Sequence, residues 1–248
     1  MLTNWHEAEL IGQKQETKGT NRFWFRVTSP EIIKYLAGQF YTFDLPIGEK
    51  RAERWRSYSI ANYCDQSNIF ELCISYKKNG LASEYFFNEV NKGDIIKFKG
   101  PEGTFILSKE VANPLVMLAT GTGIVPFRCI LQQIEKEKIS VPNLHLIYGV
   151  RKESDILYFE ELEDFSHFLD GLKISICLSR ELKLPKARNN ISFHSGYIHP
   201  IYLQDEKKRN KDTTFMICGW SGMIDEAVAN LINEMKVDRK QIRLELFG

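Results

Sequence analysis

No Cys-x-x-Cys pair occurs anywhere in this sequence, and its five cysteines, Cys64, Cys73, Cys129, Cys177 and Cys218, are odd in number and widely spaced. That excludes zinc knuckles and plant-type iron–sulfur loops, and a reducing compartment is the simple reading. Long apolar runs are absent as well. The opening Met1-Leu2-Thr3-Asn4-Trp5-His6-Glu7 has neither the basic stretch nor the apolar core of a secretion signal. These absences predict a soluble, cytoplasmic protein. Surplus charge is missing too: 33 Lys and Arg stand against 32 Asp and Glu, so no global attraction to nucleic acid or membrane is expected. There is no internal repeat and no low-complexity tract. The charge run Glu206-Lys207-Lys208-Arg209-Asn210-Lys211-Asp212 reads as a solvated loop.

What is present is 248 residues, 43% of them hydrophobic, enough for one large domain or two of ordinary size. Over the first hundred residues, segments 21–27, 39–45, 57–60, 69–76 and 95–98 are aromatic, β-branched or alternating, with Gly, Pro and Asp between them. Short strands at this spacing predict an antiparallel barrel. Segment 81–90 breaks the rule and reads as a single helix, apolar at Leu81, Tyr85 and Phe86. Past residue 107 the texture changes. Apolar strands at 116–118, 144–150, 172–178, 214–218 and 242–246 alternate with helices at 124–138, 158–168 and 223–235. The first of these helices buries Ile124, Phe127, Leu131 and Ile134. Strand–helix alternation predicts right-handed crossovers and a parallel sheet. We therefore expect two domains, 1–110 and 111–248.

The centre of the second half is residues 116–126, VMLATGTGIVP. It reads as a strand, then Thr120-Gly121-Thr122-Gly123, then a helix with Pro126 in its first turn. A glycine turn opening a helix offers free N–H groups and a positive dipole end to a phosphate. The pattern is Gly-x-Gly-x-x-Pro, short of the full dinucleotide fingerprint, and a tight turn without ligand would also produce it. Further along, Gly149 and Arg151 end one strand and Ser179-Arg180 ends the next, with Lys186 and Arg188 following. Basic groups rather than an acid at these strand ends suit the 2′-phosphate of NADP more than the ribose of NAD. An Arg180–Glu181 pair is the alternative. Cys218-Gly219 ends another apolar strand. Upstream, Arg56-Ser57-Tyr58-Ser59 offers a guanidinium fork and a flat ring. Strand alternation puts Arg56 and Tyr58 on one face and Ser57 and Ser59 on the other, which opposes all of them meeting one flat ligand unless the strand twists or ends there. Gly80-Leu81-Ala82-Ser83 opens the lone helix with a glycine and a hydroxyl, a second anion site or a plain helix start.

Taken in order, these motifs resemble the ferredoxin–NADP⁺ reductase family of flavoproteins over nearly the whole chain. The resemblance implies a Greek-key FAD domain followed by an NADP(H) domain, in a stand-alone NAD(P)H-dependent flavin oxidoreductase. It implies that Arg56 holds the flavin pyrophosphate, Tyr58 stacks on the isoalloxazine and Ser59 bonds near its N5, with Ser57 beside them. It places the backbone of Cys73, Ile74 and Ser75 along the flavin, and Gly80, Ala82 and Ser83 at the FAD pyrophosphate. Gly100-Pro101-Glu102-Gly103-Thr104-Phe105 fits the segment that closes the flavin domain. Ser179 and Arg180 correspond to the pair gripping the 2′-phosphate. Cys218 corresponds to the thiol beside the nicotinamide, and Phe247 is the candidate for the ring shielding the flavin. Relatives commonly carry Pro or Asn after Cys-Gly; here it is Trp220. Glu245 is either a polar neighbour of the site or a strand-end charge. The acceptor expected first is ferredoxin or flavodoxin, steered by basic residues among Arg51, Arg54, Lys77, Lys78, Lys97 and Lys99. An oxygenase component, a free flavin or other diffusible acceptor, and a non-catalytic electron-transfer subunit are the alternatives. No metal site is expected, and the oligomeric state is left open.

Overall fold

The structure, a computed structural model, describes residues 5–29, 33–108, 111–204 and 211–246. It divides into two compact units. The first comprises Met1–Ile106 together with Arg128–Ile130, and the second Leu107–Phe127 and Leu131–Gly248.

The first unit is a six-stranded antiparallel sheet: β1 (His6–Thr17), β2 (Thr20–Ser29), β3 (Phe40–Asp44), β4 (Trp55–Ser59), β5 (Ile69–Ser75) and β6 (Ile95–Glu102). Their order is β4-β3-β6-β1-β2-β5. Just past β4, the Ala61 N–H donates to the Glu71 carbonyl of β5 at 2.9 Å, and the Asn62 side chain bonds the backbone of both Ile69 and Glu71. The two edges are thereby joined, as a barrel requires. Alternate positions point inward and carry aromatics, as period-two patterning demands. Phe25 and Phe70 stack with centroids 5.3 Å apart, and Tyr41 meets Phe98 edge-on at 4.8 Å. All four are at most 1% exposed.

β1 has no counterpart among the expected strands. Of its twelve residues only Ala8 and Leu10 are buried, so it carries almost no apolar alternation. It is held through backbone pairing to β2 and β6. The short helix α1 (Arg51–Arg54) is likewise unforeseen. The expected helix 81–90 is α2 (Leu81–Glu84) running into a π turn, Tyr85–Glu89. Tyr85 and Phe86 are buried as expected, but Leu81 is 50% exposed. Changing winding within one turn breaks the four-residue spacing that would have put Leu81 beside Tyr85.

The second unit is a six-stranded, wholly parallel sheet of β7 (Leu115–Thr120), β8 (Leu144–Val150), β9 (Lys173–Leu178), β10 (Ile191–Ser195), β11 (Thr214–Gly219) and β12 (Ile242–Leu246). Its order is β10-β9-β8-β7-β11-β12. Helices α3 (Ile124–Glu137), α4 (Phe159–Phe168), α5 (His199–Gln204) and α6 (Ser221–Ala229) connect them. α3 has Ile124, Phe127, Leu131 and Ile134 at no more than 4% exposure, the face its spacing specified. β10 and α5 were not foreseen. β10 has one buried residue, Ile191, and four polar-flanked positions, too little apolar signal for a buried strand. Chain order reverses at β7, whose neighbours are β8 and β11. In open parallel sheets this is where ligands bind, beyond the carboxyl ends of the strands.

Candidate active site

In the first unit, four of the site candidates, Arg56, Ser57, Tyr58 and Ser59, lie on β4. Strand β4 stops at Ser59. Tyr58 packs edge-on against Phe86 at 5.5 Å and Phe43 at 5.9 Å, and burial pushes its phenol up, opposed by the charge of Arg56. Arg56 and Tyr58 are therefore neighbours. One guanidinium nitrogen of Arg56 donates to the carbonyls of Ala52 at 2.9 Å and Trp55 at 2.7 Å. That fixes the fork's orientation while leaving further N–H groups to donate.

Ser57 lies on the other face, sharing a 2.9 Å hydrogen bond with Thr42. Ser59 is 6% exposed, and its Oγ has no hydrogen-bond partner among the described residues. A buried hydroxyl left unpaired costs about 1–3 kcal/mol, so a polar ligand atom here would satisfy it. The residues present thus fit a flavin.

β5 is the last strand in its sheet. Cys73, Ile74 and Ser75 pair on one side with Arg22, Asn21 and Thr20, and the Ser75 hydroxyl is taken by Thr20 at 2.7 Å. What β5 offers a ligand is the outer backbone edge. Gly80 precedes α2. The Ser83 hydroxyl donates to the carbonyls of Lys77 at 2.8 Å and Gly80 at 2.9 Å and accepts from the Lys77 N–H at 3.0 Å. Ser83 therefore shapes the loop, and the donors left to a phosphate at Gly80, Ala82 and Ser83 are backbone N–H groups.

In the second unit, Thr120 closes β7 and Gly121–Gly123 form a single 3-10 turn before α3. Gly121 is exposed, Thr122 half-buried, and Gly123 and Pro126 are buried. A Cβ on Gly123 would sit 2.2 Å from the Cys218 carbonyl oxygen, so only glycine lets the end of β11 close on this turn. The hydroxyl of Tyr148, wholly buried in β8, donates to the Gly121 carbonyl at 3.1 Å and props the turn from below. Gly149 lies against Ile198 and Thr120, a packing contact.

At the next strand ends, the Ser179 and Arg180 N–H groups donate to the carbonyls of Val150 and Arg151 at 3.0 and 2.8 Å. This lengthens the β8–β9 pairing and sets Arg151 and Arg180 side by side, both exposed. Arg188 ion-pairs with Glu163 at 3.1 Å, and Glu181 accepts from the Glu153 N–H at 3.0 Å; neither enters the arginine pair.

Cys218 is wholly buried. Burial holds its thiol well above the ordinary range, and the Glu245 carboxylate, its register partner on β12, adds to the effect. A neutral thiol is not a nucleophile. Phe247 lies outside the described residues, as does most of the 206–212 charge run. None of the five cysteines is in a disulfide, and no cluster of metal-ligating side chains occurs among the described residues.

Two arrangements escaped the sequence. Trp55 is flanked by Arg51 at 3.7 Å and Lys99 at 4.5 Å, with Trp5 edge-on at 5.0 Å. Glu71, 2% exposed, takes a two-pronged pair from Arg22 at 2.7 and 2.9 Å and a contact from Arg128 at 3.3 Å. Apart from Arg51, four residues before Trp55, the members of each come from distant parts of the chain.

An antiparallel barrel with an unpaired buried hydroxyl beside a tyrosine, and a parallel sheet with a glycine turn at its switch point, define a two-cofactor redox protein. Residues 7–106 match the oxidoreductase FAD-binding domain and 117–229 the oxidoreductase NAD-binding domain. The chain is similar to ferredoxin–NADP reductase B of Sorangium cellulosum, 26% identical and covering 97% of each. It is also similar to the toluate 1,2-dioxygenase electron transfer component of Pseudomonas putida, 26% identical over 98% of this chain and 68% of that one. In structure it resembles a ferredoxin NADP⁺ reductase from Neisseria gonorrhoeae with bound FAD and NADP, with a TM-score of 0.79 at 23% identity over 98% and 99% of the two chains. This chain belongs to the ferredoxin–NADP⁺ reductase-like family of NAD(P)H-dependent flavin oxidoreductases. No helix among the described residues is long and apolar enough to cross a membrane.

Proposed function

We propose that this chain oxidises NADPH and passes the electrons to a separate protein acceptor, a ferredoxin or flavodoxin, from the cytoplasm. Bound FAD supplies the redox chemistry, taking a hydride from the nicotinamide and releasing electrons singly or in pairs. The chain's own residues do the positioning. Arg56 and the backbone N–H groups at Gly80, Ala82 and Ser83 hold the pyrophosphate of FAD. Tyr58 covers the ring, and Ser59 donates to it. Thr120, Gly121 and Thr122 meet the nucleotide phosphates, with Gly123, Pro126 and Gly149 shaping the turn. Ser179, Arg180 and Arg151 take the 2′-phosphate, and Cys218 and Gly219 form the wall beside the nicotinamide. The observation that carries this reading is the unpaired buried Ser59 hydroxyl next to Tyr58.

Likeness to the dioxygenase component over 98% of this chain supports a second reading, delivery to an oxygenase. Steady-state oxidation of NADPH and NADH with ferredoxin, flavodoxin, free flavin and ferricyanide tests both. The first reading expects a yellow protein, NADPH preference, and protein-acceptor rates that fall with added salt. Arg54 is paired with Asp44 and Lys99 with Glu102, so the steering charge resides mainly in Arg51, Lys97, Lys77 and Lys78. A preference for NADH, or turnover with free flavin alone, would overturn it.

A further inference from the structure

Trp220 is 72% exposed, an unusual place for the largest apolar side chain, and its backbone is anchored on both sides. Its backbone N–H donates to Thr120 Oγ1 at 3.1 Å, and its backbone carbonyl accepts N–H groups at the start of α6, from Met223 at 3.0 Å and Ile224 at 3.1 Å. The ring lies on Gly222: a Cβ there would be 2.6, 2.8 and 2.9 Å from three carbons of its six-membered half. A side chain at that position would have to push the indole aside. One side of the ring lies against Gly222, and the rest of it is open to solvent.

Its position in the sheet says what that face meets. Arg180 and Arg151 stand beyond β9 and β8, the glycine turn beyond β7, and Trp220 beyond β11; in the sheet these strands are consecutive. From β9 to β11 is three strand spacings, about 14 Å, a span suited to an extended dinucleotide. With the 2′-phosphate at the arginines and the pyrophosphate at the glycine turn, the nicotinamide end falls beyond β11.

We propose that Trp220 is a stacking platform for the nicotinamide half of the dinucleotide and sets the affinity of that half. This rests on the NADP(H) reading above and adds a residue to it. The oxidised nicotinamide ring is cationic, and an indole face attracts cations, so the platform favours NADP⁺.

Trp220 is the sole tryptophan of the second unit; Trp5, Trp24 and Trp55 belong to the first. Its emission is obtained by subtracting that of Trp220→Phe holoenzyme from that of the unmodified holoenzyme. Titration with NADP⁺ is expected to quench it. Titration with 2′,5′-ADP, which lacks the nicotinamide half, should leave it unchanged while binding by calorimetry. Trp220→Ala should weaken NADP⁺ about 3- to 30-fold and 2′,5′-ADP not at all, with Trp220→Phe restoring part of the loss. Equal quenching by both ligands, or NADP⁺ binding without quenching, would overturn the platform and leave the NADP(H) reading standing. Failure of both ligands to bind would overturn the two together.

Discussion

Glu71 shows what single residues contribute. Its carboxylate is buried between Arg22 and Arg128, and Arg128 also donates to the Ala61 carbonyl at 2.6 Å. Removing one partner of a buried ionic group leaves the others uncompensated, at about 3–5 kcal/mol. Glu71→Ala should therefore lower the denaturant midpoint by an amount matching that range, and a midpoint within error of the unmodified protein would show the network to be incidental. Arg180 is proposed to make the opposite kind of contribution, to ligand rather than fold. A charge-assisted bond of about 1.5–3 kcal/mol corresponds to roughly 10- to 100-fold in affinity. Arg180→Ala should raise the KM for NADPH by that range and leave NADH nearly unchanged. Arg151, set beside it by the β8–β9 pairing, shares the load, whereas Arg188 is engaged with Glu163. A loss that is equal for both cofactors would make Arg180 structural.

At the scale of elements, the glycine turn behaves as a joint. Gly123 brings the ends of β7 and β11 together by admitting the Cys218 carbonyl. Gly123→Ala pushes backbone against backbone, so neither side can yield by rotating a side chain. We expect a destabilisation of about 1–3 kcal/mol together with loss of 2′,5′-ADP binding in calorimetry; retention of both would refute the joint. This turn was legible from the sequence because all its chemistry sits in one local run. So were the strands that alternate cleanly and the face of α3. β1 was illegible because ten of its twelve residues are not buried and its place is fixed by hydrogen bonds to β2 and β6. The Glu71 network and the Trp55 cluster were illegible for a related reason: they join residues far apart in the chain. Gly80–Ser83 reads as an anion site or a plain helix start, and the structure adds that the Ser83 hydroxyl closes its own loop, a local bond that competes with any outside partner.

For the molecule as a whole, the proposed flavin is a stability element. A ligand that binds only the folded state adds RT ln(1 + [L]/Kd), about 4 kcal/mol at a thousandfold excess over Kd. Stripping the flavin should lower Tm, and titrated FAD should restore it in a concentration-dependent way. Because the pyrophosphate residues Arg56, Gly80, Ala82 and Ser83 are proposed to hold both phosphates, FMN should restore much less. Equal recovery with FMN would mean that the pyrophosphate assignments are wrong.

The three residues Arg128–Ile130 of α3, which group with the first unit, bear on how such genes can be recombined. A chimera of two relatives joined at 106/107 takes this helical turn from one parent and the barrel from the other. The foreign turn must then supply an arginine for Glu71 and Ala61, and a thiol within reach of the Asn62 carbonyl, which Cys129 approaches at 2.9 Å. Half-exchanges that ignore this turn should be inherited poorly, and those that carry positions 128–130 along with the barrel should survive. In lineages that shuffle these modules, the barrel and this piece of a distant helix are then expected to travel together.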